Sequence, residues 1–165
     1  MGQYPTKDIY NKCYRFWRTF YCMKTIHKSV MIWFSAEEMF SLVVDVPKYP
    51  EFLPWCDSGQ IVTPHEDGVT ARIGMSLGGF KKSFTTRNTQ VLGRQIKVEL
   101  VDGPFKRLDG LWNFVPLADE RACRVELTLN YDFEGMFGSL VGPIFDKIAD
   151  SLVDSFVKRA ENVFK

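Results

Sequence analysis

Residues 137–164 constrain the fold more than any other stretch of this chain. Leu140, Ile144, Ile148, Leu152, Phe156, Ala160 and Val163 recur at helical spacing, and Val141, Phe145, Ala149, Val153, Val157 and Phe164 widen the same stripe. Asp146, Lys147, Asp150, Asp154, Lys158, Arg159 and Glu161 occupy the opposite face. At ~1.5 Å per residue such a helix runs roughly 40 Å. Burying about ten of its apolar side chains, at ~1.5–3 kcal/mol each, outweighs any helix propensity. The helix therefore needs a broad apolar surface to lie on. Gly135, Gly138 and the Gly142-Pro143 pair predict a broken first turn, with the regular helix beginning at Pro143.

The surface comes from strands. Val69, Ala71, Ile73, Met75 and Leu77 alternate with Thr70, Arg72, Gly74 and Ser76. Phe80, Phe84 and Thr86 alternate with Lys81, Ser83, Thr85 and Arg87; Ile96, Val98 and Leu100 alternate with Gln95, Lys97 and Glu99. Leu108, Trp112 and Phe114 share a face with Gly110, and Cys123, Val125, Leu127, Leu129, Tyr131 and Phe133 form the cleanest series. Period two over so many segments predicts an antiparallel sheet with one wet and one buried face. Asp67-Gly68, Gly78-Gly79, Gly93, Gly103-Pro104 and Ala118-Asp119 mark the turns.

Ahead of these, Ile26, Val30, Ile32 and Phe34 predict a strand with imperfect alternation. Ser35-Ala36-Glu37-Glu38 then reads as a capping box opening a helix that carries Met39, Phe40, Leu42 and Val43 and stops before Pro47. A short second helix or turn follows over residues 48–54. The element order β-α-α, six strands, then α predicts an α+β helix-grip fold: a curved antiparallel sheet of about seven strands around the long C-terminal helix. Gly74 and Gly110 are expected to let the sheet bend. Such an arrangement tends to leave an apolar cavity. With 14 Phe and 4 Trp, a core filled by aromatic rings is the competing outcome.

The expected cavity wall is Met75, Phe84, Leu100, Trp112, Phe114 and Leu129 from the sheet, opposed by Phe145, Val153 and Phe156. Phe52, Leu53 and Trp55, stiffened by Pro50 and Pro54, form either its lip or a plug, and Phe105 a second lip. Asn88 and Arg87 are candidate contacts for a polar head group, although Arg87 alternates toward solvent.

A length of 165 residues, 45% hydrophobic and 25% charged, suits one domain, assigned to residues 23–165. Residues 1–22 carry Lys7, Lys12, Arg15 and Arg18 beside Ile9, Cys13, Phe16, Trp17 and Phe20, and read as an appended tail or as the product of an upstream start codon. The net charge of +1 favours no polyanion. Between positions 68 and 98, however, Arg72, Lys81, Lys82, Arg87, Arg94 and Lys97 stand without any acid. This is a solvated sheet face or, through Lys81, Arg87 and Lys97, an RNA-facing one.

No run of 18 apolar residues occurs. Cys13, Cys22, Cys56 and Cys123 form no CxxC pair, and His27 and His65 are the only imidazoles, so no metal site and a cytoplasmic setting with reduced thiols are expected. The apolar faces carry no acid, and neither Cys56 nor Cys123 has a histidine near it in sequence. No catalytic residue is assigned, and the expectation is that the protein is not an enzyme.

Several stretches together resemble one family. They are residues 35–40, Val46-Pro47-Lys48-Tyr49-Pro50-Glu51-Phe52-Leu53-Pro54-Trp55-Cys56, residues 84–88, Asp102-Gly103-Pro104-Phe105 with its flanks, residues 110–114 and residues 153–160. From residue 23 to the C-terminus the chain is similar to the START-like group of coenzyme-Q-binding proteins and bacterial RatA-type ribosome-association toxins. The resemblance implies a helix-grip fold with a hydrophobic-ligand tunnel. It also implies two activities: binding coenzyme Q in support of respiration, and blocking the association of ribosomal subunits. The wider superfamily adds oligoketide cyclases and lipid transport. The leading expectation is therefore non-enzymatic binding of an isoprenoid quinone (ubiquinone) or similar lipid, with no further cofactor, no DNA partner, and peripheral contact with the inner membrane. The alternative is a toxin that binds the large ribosomal subunit; an antitoxin partner is left open.

Overall fold

The computed structural model describes residues 23–118 and 120–165; the basic, aromatic segment 1–22 lies outside the described residues. Strand β1 (Lys24–Ile32) leads into helix α1 (Ala36–Val44) and a 3-10 helix (Val46–Glu51). Six strands follow: β2 (Cys56–His65), β3 (Gly68–Leu77), β4 (Phe80–Val91), β5 (Gln95–Asp102), β6 (Phe105–Pro116) and β7 (Cys123–Phe133). Helix α2 (Gly135–Val163) ends the chain. The seven strands form one antiparallel sheet in the order β1-β7-β6-β5-β4-β3-β2. Hairpins account for every neighbour except β1, which returns to pair with β7. This is the helix-grip arrangement that the element order predicts.

The period-two series of β3, β6 and β7 land as read, whereas in β4 Phe80 is exposed and Thr85 buried. All six apolar residues of the β7 series are buried, as are Leu108, Gly110, Trp112 and Phe114 of β6. Strand β2 has no such pattern because it is an edge: most of its residues are exposed, and its pairing with β3 is interrupted by two register shifts. One of these shifts explains Gly74. A side chain there would meet Asp57 and Ser58 of the bulged β2, so Gly74 permits close strand approach on the outer face rather than bending the sheet around α2.

Ser35 caps α1 as expected: its side chain accepts from the Glu38 N–H at 3.1 Å, and the Glu38 carboxylate accepts from the Ser35 N–H at 2.7 Å. The 3-10 helix then folds inward. Tyr49 is buried, and its hydroxyl donates to the Val43 carbonyl at 2.6 Å, tying the turn to the end of α1.

Two expectations for α2 need correction. The helix starts at Gly135, not Pro143; Pro143 lies exposed within it, and Gly138 lets the first turn sit against Phe133, where an added Cβ would come within 2.8 Å of that side chain. The buried seam is also rotated. Val141, Phe145, Ala149, Val153, Phe156 and Ala160 face the core, whereas Leu140 is 58% and Ile144 38% exposed. Ile148 and Leu152 flank the seam, half-buried, and Val163 is exposed. Both rows have helical spacing, and only the sheet's contour chooses between them.

Polar contacts along its flanks hold α2 in this orientation. Lys24 and Lys28 of β1 pair with Asp146 and Asp150, and the Tyr131 hydroxyl donates to Asp146 at 2.6 Å. Near the C-terminal end Arg159 reaches Glu51 of the 3-10 helix at 2.5 Å, with its guanidinium 5.2 Å from the Phe52 ring centroid. Burial pushes the Asp146 carboxyl up, but the hydrogen bonds from Lys24 and Tyr131 outweigh it, so the group stays below the ordinary value of 3.8.

Candidate functional site

The space between α2 and the concave face of the sheet is mostly core, with a gap beneath the middle of the helix. A cavity of about 100 Å³ lies between β3–β7 and the middle of α2. Its sheet wall includes Ile73, Phe84, Ile96, Trp112 and Leu127, together with a cross-strand row in which Asn88, Val98, Gly110 and Leu129 pair in succession. Its helix wall is Phe145, Ile148, Ala149, Leu152 and Phe156, and Val43, Tyr49 and Trp55 close one side. Gly110 lines the gap without a side chain; a Cβ there would sit in ordinary contact with Leu129 and Val98, at 3.4 and 3.5 Å.

Of the expected wall, Trp55, Phe84, Trp112, Leu129, Phe145 and Phe156 line this cavity. The others serve the solid core. Met75, Phe114 and Val153 are buried outside the cavity, and Leu100 is half-buried. Leu53 is buried beneath the 3-10 helix, and Phe52 packs edge-on against Tyr49 and Phe156. Phe105 stacks on Phe133 with centroids 4.4 Å apart and meets Phe84 and Phe145 edge-on. It is a plug at the sheet end, not a lip. The aromatic-core outcome and the cavity outcome are thus both partly realised.

The sequence reading passed over Ile73, Thr86, Ile96, Val98, Leu108 and Leu127 as wall residues. Their alternation signalled burial, but which buried residues border a gap depends on packing across the layers. Tyr49 is buried and also on the wall. Asn88 is the more consequential of the two polar side chains on the sheet wall; Thr86 is the other, and both are buried.

The wall is mostly apolar. Tyr49 is its one titratable side chain, with burial holding its hydroxyl well above the ordinary value and its proton engaged by Val43. Neither histidine is near: His27 contacts Thr128 and His65 contacts Thr70, both on exposed strand surface. Cys56 and Cys123 are buried free thiols, each pushed up to about 11 by burial, so neither is a ready nucleophile. Among the described residues no group of three or more His, Cys, Asp or Glu is placed to hold a metal ion, and no helix is long and apolar enough to cross a membrane.

The basic stretch of the sequence looks different once folded. Arg87 does point away from the cavity, but it is ion-paired with Asp67, donates to the Asn88 carbonyl at 2.9 Å, and is only 25% exposed. Lys97 pairs with Glu99 at 3.0 Å, and Lys81 stands 3.9 Å from Asp57 and is 77% exposed. Asp57 and Asp67, which precede the basic stretch, and Glu99, just after it, thus stand on a face that the stretch alone shows as purely basic. Lys81 and Lys97 remain open to a partner; Arg87 belongs to the turn between β2 and β3. Beside Lys81 the β3–β4 hairpin carries Phe80 onto Phe137, next to the exposed Met136, Leu140 and Ile144 of α2.

Comparison with known proteins agrees with this architecture. The family model for polyketide cyclase / dehydrase and lipid transport proteins matches residues 32–157. The chain is 43% identical over 143 residues to a protein of Vibrio cholerae named ribosome association toxin RatA, covering 86% of this chain and 99% of that one. It is 38% identical to the RatA of Pseudomonas aeruginosa, over 84% of this chain and 96% of that one. A coenzyme Q-binding protein COQ10 homolog B from Xenopus laevis is more distant, at 23% identity over 83% of this chain and 58% of its own length. Among solved structures, the Zhui aromatase/cyclase from Streptomyces superposes with a TM-score of 0.74 at 15% identity, over 87% of this chain and 96% of that one. A START superfamily protein from Mycobacterium smegmatis gives 0.72 at 22%, over 84% and 98%. At such identities the structures speak for the fold alone. A helix-gripping sheet, an apolar gap beneath the helix and matches of this extent make the chain a member of the polyketide cyclase / dehydrase and lipid transport family, with the RatA proteins among its relatives.

Proposed function

We propose that this protein acts on the ribosome, binding the large subunit and hindering its association with the small one, without covalent chemistry. The observation that carries this reading is the relationship to the RatA proteins, which runs nearly the full length of those relatives at 38–43% identity. The absence of a general acid, base or activated nucleophile on the cavity wall supports action by binding rather than by catalysis. The test is sedimentation of ribosomes with purified protein. The expected result is a loss of whole ribosomes, a rise in free subunits and co-migration of the protein with the large subunit. A profile unchanged at stoichiometric excess, with the protein left at the top of the gradient, refutes it. The double variant Lys81→Glu/Lys97→Glu, which leaves the core untouched, tests whether the outer sheet face makes the contact; binding through it falls with added salt.

One observation favours a second reading alongside the first. The cavity is apolar and lies between the sheet and the long helix, which fits a hydrophobic guest such as the ring of an isoprenoid quinone. At about 100 Å³ it is below the ~300–1,000 Å³ of ordinary ligand pockets. That volume is of the order of one small ring, and an attached isoprenoid tail requires α2 to shift outward or the tail to leave along its flank. Mass spectrometry of an organic extract of the purified protein decides whether such a guest is carried.

A further inference from the structure

Among the described residues, one buried side-chain polar atom lacks a hydrogen-bond partner: Oδ1 of Asn88. The residue is 8% exposed and lines the cavity. Its place follows from the strand register: Asn88 lies on the concave side of β4 between Val69 and Val98, and the next pairing in that row brings Gly110, which has no side chain to fill the space. The Asn88 backbone belongs to the sheet ladder, and its carbonyl accepts from Arg87. An amide oxygen held among apolar side chains without a donor is costly, and folded proteins rarely keep one without a use. A hydrocarbon guest would leave it unpaired. So would a quinone or an ether, whose oxygens only accept.

We infer that the cavity takes an aromatic ring bearing a hydroxyl, a phenol or hydroquinone, whose O–H donates to Asn88 Oδ1. The ring lies against Trp112, Leu129 and Phe156. This rests on the second reading above, that the cavity is a ligand site, and it adds the direction of the hydrogen bond: the protein accepts and the guest donates.

Two ring-sized probes of equal shape test it, p-cresol and p-xylene, which exchange one hydroxyl for a methyl. Their affinities are measured by calorimetry on the full chain and on Asn88→Leu, with Asn88→Ala as the second variant should leucine disturb folding. Wild-type protein is expected to favour p-cresol, and the affinity ratio should swing toward p-xylene by tenfold or more in either variant, where the acceptor is gone. A ratio unmoved by both substitutions overturns the role of Asn88 while leaving the cavity a ligand site. Saturable binding of neither probe to wild-type protein overturns both.

Discussion

Truncating Phe156 to alanine tests the placement of α2 directly. The ring is 1% exposed and meets Tyr49, Phe52 and Trp112 edge-on, with centroids 5.5, 5.1 and 5.3 Å away. Burial of such a side chain is worth ~1.5–3 kcal/mol, and each ring contact adds ~0.5–1.5 kcal/mol. The void opened would join the existing cavity, which its neighbours already fail to fill, so relaxation recovers little. The cost should then lie within the ~3–5 kcal/mol typical of buried Phe→Ala changes. At ~2–4 °C per kcal/mol for a chain of this size, the melting temperature falls by roughly 6–20 °C. Leu140→Ala is the control: it lies near the other end of the same helix, is 58% exposed, and should change stability by no more than ~0.5 kcal/mol. Urea unfolding followed by circular dichroism measures both, with equal m-values confirming a common unfolded state. Equal losses from Phe156→Ala and Leu140→Ala would refute the orientation of the helix.

Asp146→Asn should cost about 1–2 kcal/mol near neutral pH, mainly by weakening the bond from Tyr131, since the exposed Lys24 pair adds little. Because the Asp146 carboxyl is depressed in the folded protein, its contribution is present above the unfolded value of 3.8 and vanishes as pH falls through the lower folded one. The stability difference between wild type and variant should therefore close in acid, and a gap constant from pH 7 to 3 would contradict the assignment. Asn88→Leu should be neutral or stabilising, by up to ~1–3 kcal/mol, because it removes an unpaired buried acceptor; a clear drop in melting temperature would mean that the oxygen has a partner. Gly103 has φ of 145°, and a Cβ there would lie 2.5 Å from that of Phe84, so Gly103→Ala should destabilise by ~1–3 kcal/mol. Wild-type stability for this variant would show that the β5–β6 turn yields readily.

The sequence alone determined the elements and their order. Period two in β7 and β6, the capping box at Ser35 and the long apolar stripe of the last helix are local patterns, and local patterns survive without knowledge of what they pack against. From them the helix-grip arrangement follows, because a single long amphipathic helix and a one-faced sheet have few ways to cover each other. Tertiary structure decided what depends on the facing layer. It chose the Val141–Phe145–Ala149 row over Leu140–Ile144–Ile148, since both rows satisfy the 3.6-residue period and only the sheet's curvature distinguishes them. It set Asp67 beside Arg87 and Asp57 near Lys81, basic residues that no acid accompanies in their own stretch of the chain, because strand pairing joins residues far apart in sequence. It also sorted the buried residues into core and cavity wall. Alternation reports which side of a strand is dry, whereas a gap is a property of volumes meeting across layers, and so the unpaired oxygen of Asn88 emerges only where β4, β5 and β6 face α2.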